Sequence, residues 1–292
     1  MDSLPSRVWL VTGTSSGFGK HFVLAALARG DRVIAAARSL KKLEAFTSTI
    51  NAKDLKRLRT LQLDLTDGPE EIERKIGHAF TFWNQIDVLV NNAGSFTGGM
   101  MEEGGSKLLR RQFDTNVFGT LDVTTATLPY LRQSKDACVV TIGSRSAWKA
   151  ELPGLGFYAA SKAAIRAITE SFMSELAQFN IKVLLVEPGS FRTEGIQNQV
   201  FSVDNPIPIY DDLRKQTKAR LQSVGPGGMI SGDPRKGVDI IMDVVTNGGV
   251  AKGRAWPGYL VLGNDADYDV RKKCEKVLTA LDDWSDAVKA VY

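Results

Sequence analysis

The sequence predicts an α/β protein: a doubly wound parallel sheet in three α/β/α layers, forming a single domain over residues 1–292. Three observations lead there. Short apolar runs alternate with longer helical patterns through the first 190 residues, the rhythm of strand–helix–strand crossovers. Most of the runs are apolar nearly throughout, as strands covered on both faces are. The first run ends in a glycine-rich turn that leads directly into a helical pattern.

In order, Val8–Val11, Arg32–Ala36, Ile86–Val90, Ala137–Ile142 and Ile181–Val186 read as buried strands. Leu61–Leu65 alternates apolar and polar residues, so one of its faces is expected to be less buried. Helical patterns fall at about 17–29, 39–50, 68–84, 105–134 and 156–178. After Pro188, the end of the sixth strand, the rhythm breaks. Residues 189–232 are rich in Gly, Pro and polar types with scattered apolar ones, among them Phe191, Ile196, Val200, Phe201, Val203, Ile207, Ile209 and Tyr210. That composition predicts an irregular lid rather than a disordered segment. A helix at about 234–246, a strand at Tyr259–Leu262 and a C-terminal helix at about 265–290 follow. There is no internal repeat and no linker that would divide the chain.

Composition excludes several function classes. With a formal net charge of +4, a sequence pI near 9.0 and no long basic run, nucleic acid is not an expected partner, whereas a small anionic cofactor is compatible. Cys138, Cys274, His21 and His78 have neither metal-ligand spacing nor a disulfide framework, so no metal is expected and a reducing, cytoplasmic compartment is. The first residues lack the apolar core of a signal peptide, and no apolar run reaches spanning length, so no membrane span is expected.

The turn after the first strand reads Thr12-Gly13-Thr14-Ser15-Ser16-Gly17-Phe18-Gly19. Glycines there permit a tight turn and close approach of backbone to phosphate, and the helix that follows presents free amides and the positive end of its dipole. The spacing G-x-x-x-G-x-G departs from the common dinucleotide fingerprint. The second strand ends in Ala35-Ala36-Ala37-Arg38, where an acidic residue would suit an unmodified ribose. A guanidinium behind small alanines suits a 2′-phosphate instead, which points to NADP(H). Further on, Tyr158 and Lys162 are i,i+4 neighbours on one predicted helix, a spacing that brings an ammonium near a phenol.

Taken together, these motifs resemble the short-chain dehydrogenase/reductase family, in a single-domain, NADP(H)-dependent Rossmann branch. Thr12–Gly19 resembles its cofactor loop, with Gly13, Ser15, Ser16, Gly17, Phe18 and Gly19 as contacts. Asp64 and Leu65 resemble its adenine contact, and Asn91-Asn92-Ala93-Gly94 the motif that steadies the sheet beside the cofactor. Asn116, Ser144, Tyr158 and Lys162 fall where the family keeps a catalytic tetrad, and Pro188, Gly189, Phe191 and Thr193 where it holds the nicotinamide. The tail is most like the branch of 17β-hydroxysteroid- and retinol-dehydrogenase-like members. The gap from Ser144 to Tyr158 is one residue longer than the family's commonest spacing, so Ser146 stands as the alternative hydroxyl; the strand leading into Ser144 favours Ser144.

The resemblance implies hydride transfer between the nicotinamide and a carbonyl carbon. Tyr158 would then act as general acid, Ser144 would bond the carbonyl oxygen, Lys162 would bind the ribose and lower the Tyr158 pKa, and Asn116 would hold a water. Reduction of an apolar ketone or aldehyde is the expected direction, and oxidation of a secondary alcohol is the alternative. A non-catalytic NADP(H)-binding protein and a two-lobed epimerase are the other classes; the complete tetrad argues against the first and the glycine spacing against the second. Trp148 and Leu152 are expected to wall the substrate opposite the lid. Phe172, Met173 and Leu176 leave two readings of the 156–178 helix open, pairing in a homodimer or homotetramer, or packing within one chain.

Overall fold

A computed structural model describes residues 6–194, 200–223 and 232–291. Seven parallel strands form the central sheet: β1 (Val8–Thr12), β2 (Arg32–Ala37), β3 (Leu58–Gln62), β4 (Val88–Asn91), β6 (Cys138–Ile142), β7 (Lys182–Pro188) and β9 (Tyr259–Leu262). Their spatial order is β3-β2-β1-β4-β6-β7-β9, so the chain reverses direction across the sheet between β1 and β4. In such sheets ligands bind beyond the carboxyl ends of the strands at that reversal. Two further short strands, β5 (Thr97–Gly98) and β8 (Val200–Phe201), pair apart from the sheet.

Alternate side chains of β1 supply two cores, as the two-residue period of a strand requires. Trp9 and Val11 point to one face, against α1 (Gly17–Ala28), α2 (Leu40–Thr47) and α9 (Pro234–Thr246). Val8 and Leu10 point to the other, against α4 (Pro69–Phe80), α6 (Gly119–Leu131) and α7 (Gly156–Glu175). Phe172, Met173 and Leu176 pack into this second core, so the apolar pattern that suggested helix pairing is accounted for within the chain.

Three elements differ from expectation. β3 lies three residues earlier than Leu61–Leu65: Val33 pairs with Leu58 and Ala37 with Gln62. It is an edge strand with solvent on one side, so its apolar pattern fixes the register weakly. The helical pattern at 105–134 divides into α5 (Met101–Phe113), a π turn (Asp114–Phe118) and α6. The stretch 189–232 is also less irregular than its composition implies, because α8 (Asp211–Ser223) lies within it, opened by Pro208 and two first-turn aspartates. The chain closes with α10 (Asn264–Asp283) and α11 (Ser285–Lys289). Between them α3 (Ala52–Leu55) and these helices complete the layers. Among the described residues no helix is long and apolar enough to cross a membrane.

Candidate active site

The glycine turn forms a cradle under the carboxyl end of β1. Gly13 adopts φ +69°, and a Cβ there would lie 2.8 Å from Ala93 Cα. At Gly19 a Cβ would stand 2.3 Å from the Gly13 carbonyl oxygen, so any side chain would push α1 off the turn. The segment after β4 clamps the cradle. Asn92 Nδ2 donates to the carbonyls of Thr12 (2.8 Å) and Gly13 (3.1 Å), and the amides of Asn92 and Ala93 both donate to Thr12 Oγ1 at 3.0 Å. Phe18 and Phe191 are both buried and meet edge to face at 4.9 Å. Their rings tie the turn to the segment after Pro188, so what they offer a ligand is main chain.

Ser16 stands at the N-cap of α1 but makes no side-chain cap. Instead the carboxylate of Glu194, next to Thr193, accepts from the Gly17 amide at 2.9 Å. An anion thus already sits at the amide end of α1, where a phosphate would. At the end of β2, the Arg38 side chain is 81% exposed and reaches only loosely to Asp64, 3.9 Å away. Leu65 is held beside it by the start of α6. The residues present fit a dinucleotide: a cradle closed to side chains, amides aimed at an anion, and an available guanidinium at the ribose end.

Tyr158, Ser144, Lys162 and Asn116 converge beyond the ends of β4 and β6. Gly143, the residue after the β6 extension, is still anchored to the sheet by its amide on Val186 O (2.7 Å). Ser144 then caps a 3-10 turn, Arg145–Ala147, with its Oγ accepting from the Ser146 amide at 3.1 Å. The strand face therefore does not continue to Ser146. Ser144 lies near enough to the Tyr158 phenol to favour its ionised form. Burial raises the phenol above its ordinary pKa and the Ser144 hydroxyl only partly offsets this, so the net shift is upward, opposite to the lowering expected from Lys162. Lys162 is buried, donates to Ile142 O at 2.7 Å and lies 5.8 Å from the centre of the Tyr158 ring. Desolvation pulls its pKa down to about 8, which still leaves it mostly protonated at neutral pH.

Asn116 sits in the π turn, a geometry often found at functional positions. Its Oδ1 accepts from the Ser95 amide (2.8 Å), and its Nδ2 donates to Ser95 O (2.9 Å) and Ser161 Oγ (3.1 Å). With the side chain engaged on both ends, it fastens the loop after β4 to α7. Gly94 passes between Asn116 and Lys162: a Cβ there would be 3.4 Å from Asn116 Oδ1 and 3.7 Å from Lys162 Nζ.

Two sets of contacts around this cluster were not legible beforehand. Phe96 tilts against Tyr158 with ring centres 5.2 Å apart, putting an aromatic wall at the phenol. The C-terminal helix α10 grips the loop after Ser144. Asp269, its side chain 4% exposed, takes Arg145 Nη1 at 2.6 Å and Lys149 Nζ at 2.5 Å. Asp265 takes Arg145 at 3.3 Å and the Ser190 amide at 2.8 Å. Two carboxylates at i,i+4 on one helix face two cations at the same spacing on a loop; that shared spacing was the available signal.

The described part of the segment after Pro188 is docked on the body of the fold. β8 pairs with β5, the amide of Ile207 donates to Glu103 at 2.9 Å, and Arg214 of α8 pairs with the buried Glu103. Arg220 reaches the Pro153 carbonyl at 2.6 Å. Val200 and Ile209 remain exposed, and Ile196 lies outside the described residues. Trp148 is half-buried: its indole donates to the buried Glu187 and its ring lies 4.2 Å from the Arg166 guanidinium.

The pattern of the short chain dehydrogenase family matches residues 7–202. YusZ, an uncharacterised oxidoreductase of Bacillus subtilis, is 36% identical over 244 residues, 82% of this chain and 85% of that protein. An 11-beta-hydroxysteroid dehydrogenase 1A of Arabidopsis thaliana is 32% identical over 215 residues, 73% of this chain and 60% of that one. The solved structure of a short-chain dehydrogenase from Streptomyces avermitilis superposes with a TM-score of 0.83 at 32% identity, covering 98% of this chain and 99% of that one. The chain belongs to the short chain dehydrogenase family and is an oxidoreductase that uses a nicotinamide cofactor.

Proposed function

We propose that the protein is an NADPH-dependent reductase of apolar ketones or aldehydes, acting as one catalytic domain in the cytoplasm. The observation that carries this reading is the grouping at the Tyr158 ring, with Phe96 tilted against it at 5.2 Å, Lys162 5.8 Å from its centre and Ser144 beside its phenol. Bound NADPH supplies the hydride. Tyr158 gives its proton to the oxygen that becomes negative, and Ser144 bonds the same oxygen. A phenol held above its ordinary pKa carries its proton at neutral pH, as a general acid must. Lys162, charged and buried, faces the developing negative charge and is placed to hold the cofactor ribose. Asn116 keeps Lys162 and the loop after β4 in register.

Arg38 supports the choice of NADP(H): it is exposed at the ribose end, with a loose ion pair to Asp64. Asp64 and Leu65 are assigned to the adenine, and Ser15, Ser16, Gly17, Asn92, Ala93 and Gly94 to the phosphates and inner ribose. Pro188, Gly189 and Thr193 are assigned to the nicotinamide. Substrate preference rests on Phe96 and on a lid with no Lys or Arg between Thr193 and Arg214. The first cation that follows, Arg214, is spent on Glu103.

The direct experiment compares matched carbonyl substrates with NADPH. An apolar aryl ketone should have a higher kcat/KM than a charged keto acid; the reverse order contradicts the substrate assignment, and NADP-linked alcohol oxidation without ketone reduction contradicts the direction. Ala37→Asp with Arg38→Leu should shift the kcat/KM ratio towards NADH by roughly tenfold or more, since a carboxylate repels the 2′-phosphate. An unchanged ratio makes Arg38 a surface residue.

A further inference from the structure

Glu187 is a buried carboxyl beside the Ser144 turn that the chemistry above does not use. It lies in β7, directly before Pro188, and is 1% exposed. Burying such a group is costly, and an apolar residue would serve the core better. Burial raises the carboxyl above its ordinary range, while the Trp148 indole and the Arg166 charge act against that shift. Oε2 accepts from Trp148 Nε1 at 2.5 Å, and Oε1 has no hydrogen-bond partner among the described residues. The hydrogen bonding of this carboxyl thus goes to Trp148.

That bond closes the second end of a staple. At the first end, just before Ser144, the Gly143 amide donates to Val186 O at 2.7 Å. The 3-10 turn Arg145–Ala147 follows, and Trp148 ends it, its amide donating to Arg145 O at 2.9 Å. The Trp148 indole then returns to β7 one residue further on, at Glu187. A Cβ on Gly143 would lie 3.3 Å from Glu187 Cγ, so the stem of the carboxyl packs against the residue that precedes Ser144. Arg166, four residues after Lys162 on α7, stands 4.2 Å from the Trp148 ring and gives it a cationic backing. The turn that carries Ser144 is fastened at both ends to consecutive residues of β7, the strand that runs on into Pro188 and Gly189.

We propose that Glu187 is a positioning residue, which through the Trp148 indole fixes Ser144 relative to the Pro188–Thr193 segment. This rests on the reading above, in which Ser144 bonds the carbonyl oxygen and Pro188–Thr193 holds the nicotinamide. One segment then seats the hydride donor and the other stabilises the oxygen, so their separation must hold to within about 0.5 Å. Asp269 of α10 grips Arg145 and Lys149 from one side of the turn. Glu187 holds Trp148, between those two cations, from the sheet.

The test measures kcat and KM for an aryl ketone, with the Kd for NADPH, in variants of both partners. Trp148→Phe removes the indole N–H and keeps a ring against Arg166; Glu187→Leu removes the acceptor and keeps the indole. Each should lower kcat roughly tenfold with the NADPH Kd within about twofold, as a small misplacement of a reacting group does. Together they should cost no more than either alone, because both break one bond. Glu187→Gln keeps an acceptor oxygen and should restore most of the loss. In a Ser144→Ala background Trp148→Phe should cost nothing further, since its effect passes through that hydroxyl; a merely structural role would lower kcat again. Additive losses, a further loss without Ser144, or a Glu187→Gln variant as impaired as Glu187→Leu overturns the proposal. So does a KM change confined to Trp148→Phe, which would make the ring a substrate wall. If Glu187→Leu does not fold, Trp148→Phe in the two backgrounds decides. Should Ser144→Ala alone keep wild-type kcat, the reading of Ser144 fails and the proposal with it; where Ser144→Ala is impaired and the losses add, the proposal alone fails.

Discussion

The part of the molecule that holds the glycine cradle and the part that follows β7 are built in different ways. In the first, from β1 to α7, the turns that leave the buried strands take their shape from residues within them, and side chains such as Asn92 and Asn116 then tie those turns to neighbours distant in the chain. Gly13 and Gly19 shape one turn, and Ser144 follows β6 directly into a 3-10 turn. In the second, from Ser190 to the end of α10, contacts reach across the sequence. Arg214 pairs with Glu103, Arg145 with Asp269, and β8 with β5. Local construction makes the cradle a matter of backbone sterics. Remote construction makes the lid and the loop after Ser144 depend on a few ion pairs, which variants can release one at a time.

The largest difference is expected at the serines. Ser144→Ala should lower kcat by roughly 10²–10³, as loss of one oxyanion donor does. Ser146→Ala retains the main-chain amide that bonds Ser144, so its kcat should stay within about twofold, as for substitutions outside the named destabilising classes. The opposite order would move the active hydroxyl into the 3-10 turn and erase the local logic of the strand end.

Asp269 probes the remote construction. Asp269→Asn leaves Arg145 and Lys149 without their shared carboxylate, and the Ser144 loop should drift. A fall in kcat of roughly tenfold is expected, with the Kd for NADPH little changed, because small misplacements of catalytic groups are costly. Asp267→Asn, at an exposed carboxylate on the same helix paired to Arg271, is the control. If the two variants behave alike, α10 does not position the loop.

The smallest effect lies where the two parts meet. Glu194, at the start of the lid, accepts from the first amide of α1 and competes with a cofactor phosphate for the same dipole. Glu194→Gln should tighten NADPH binding by roughly two- to fivefold, the worth of one charge at a helix end. Weaker binding would mean that the carboxylate helps to seat the cofactor.

The same division explains what the sequence could say. The glycine turn, Arg38 at the end of β2 and the Tyr158/Lys162 spacing are local patterns: the turn leads into α1, Arg38 stands exposed at the strand end, and Tyr158 and Lys162 share α7. Ser144 was separable from Ser146 only by reading Val139–Gly143 as a strand end. The lid helix was hidden because Asp211–Ser223 is polar almost throughout, and what holds it, Glu103, is far away in sequence. The edge strand β3 slipped by three residues because one side of it has no neighbour to fix the register. What Trp148 touches was not readable from spacing, because its partners, Glu187 and Arg166, come from two other elements. The pKa of Tyr158 moved against expectation because burial of the phenol, which depends on the closed fold, outweighs what spacing alone suggests.

The central claim is that Tyr158 acts on the substrate and not on the cofactor. Tyr158→Phe should bind NADPH with a Kd within about twofold of wild type while kcat for ketone reduction falls by roughly 10²–10⁴, the usual contribution of a general acid. Both quantities come from one preparation, by titrating cofactor binding and then following NADPH oxidation. A variant that keeps more than about a tenth of wild-type kcat, a loss too small for a general acid, contradicts the assignment.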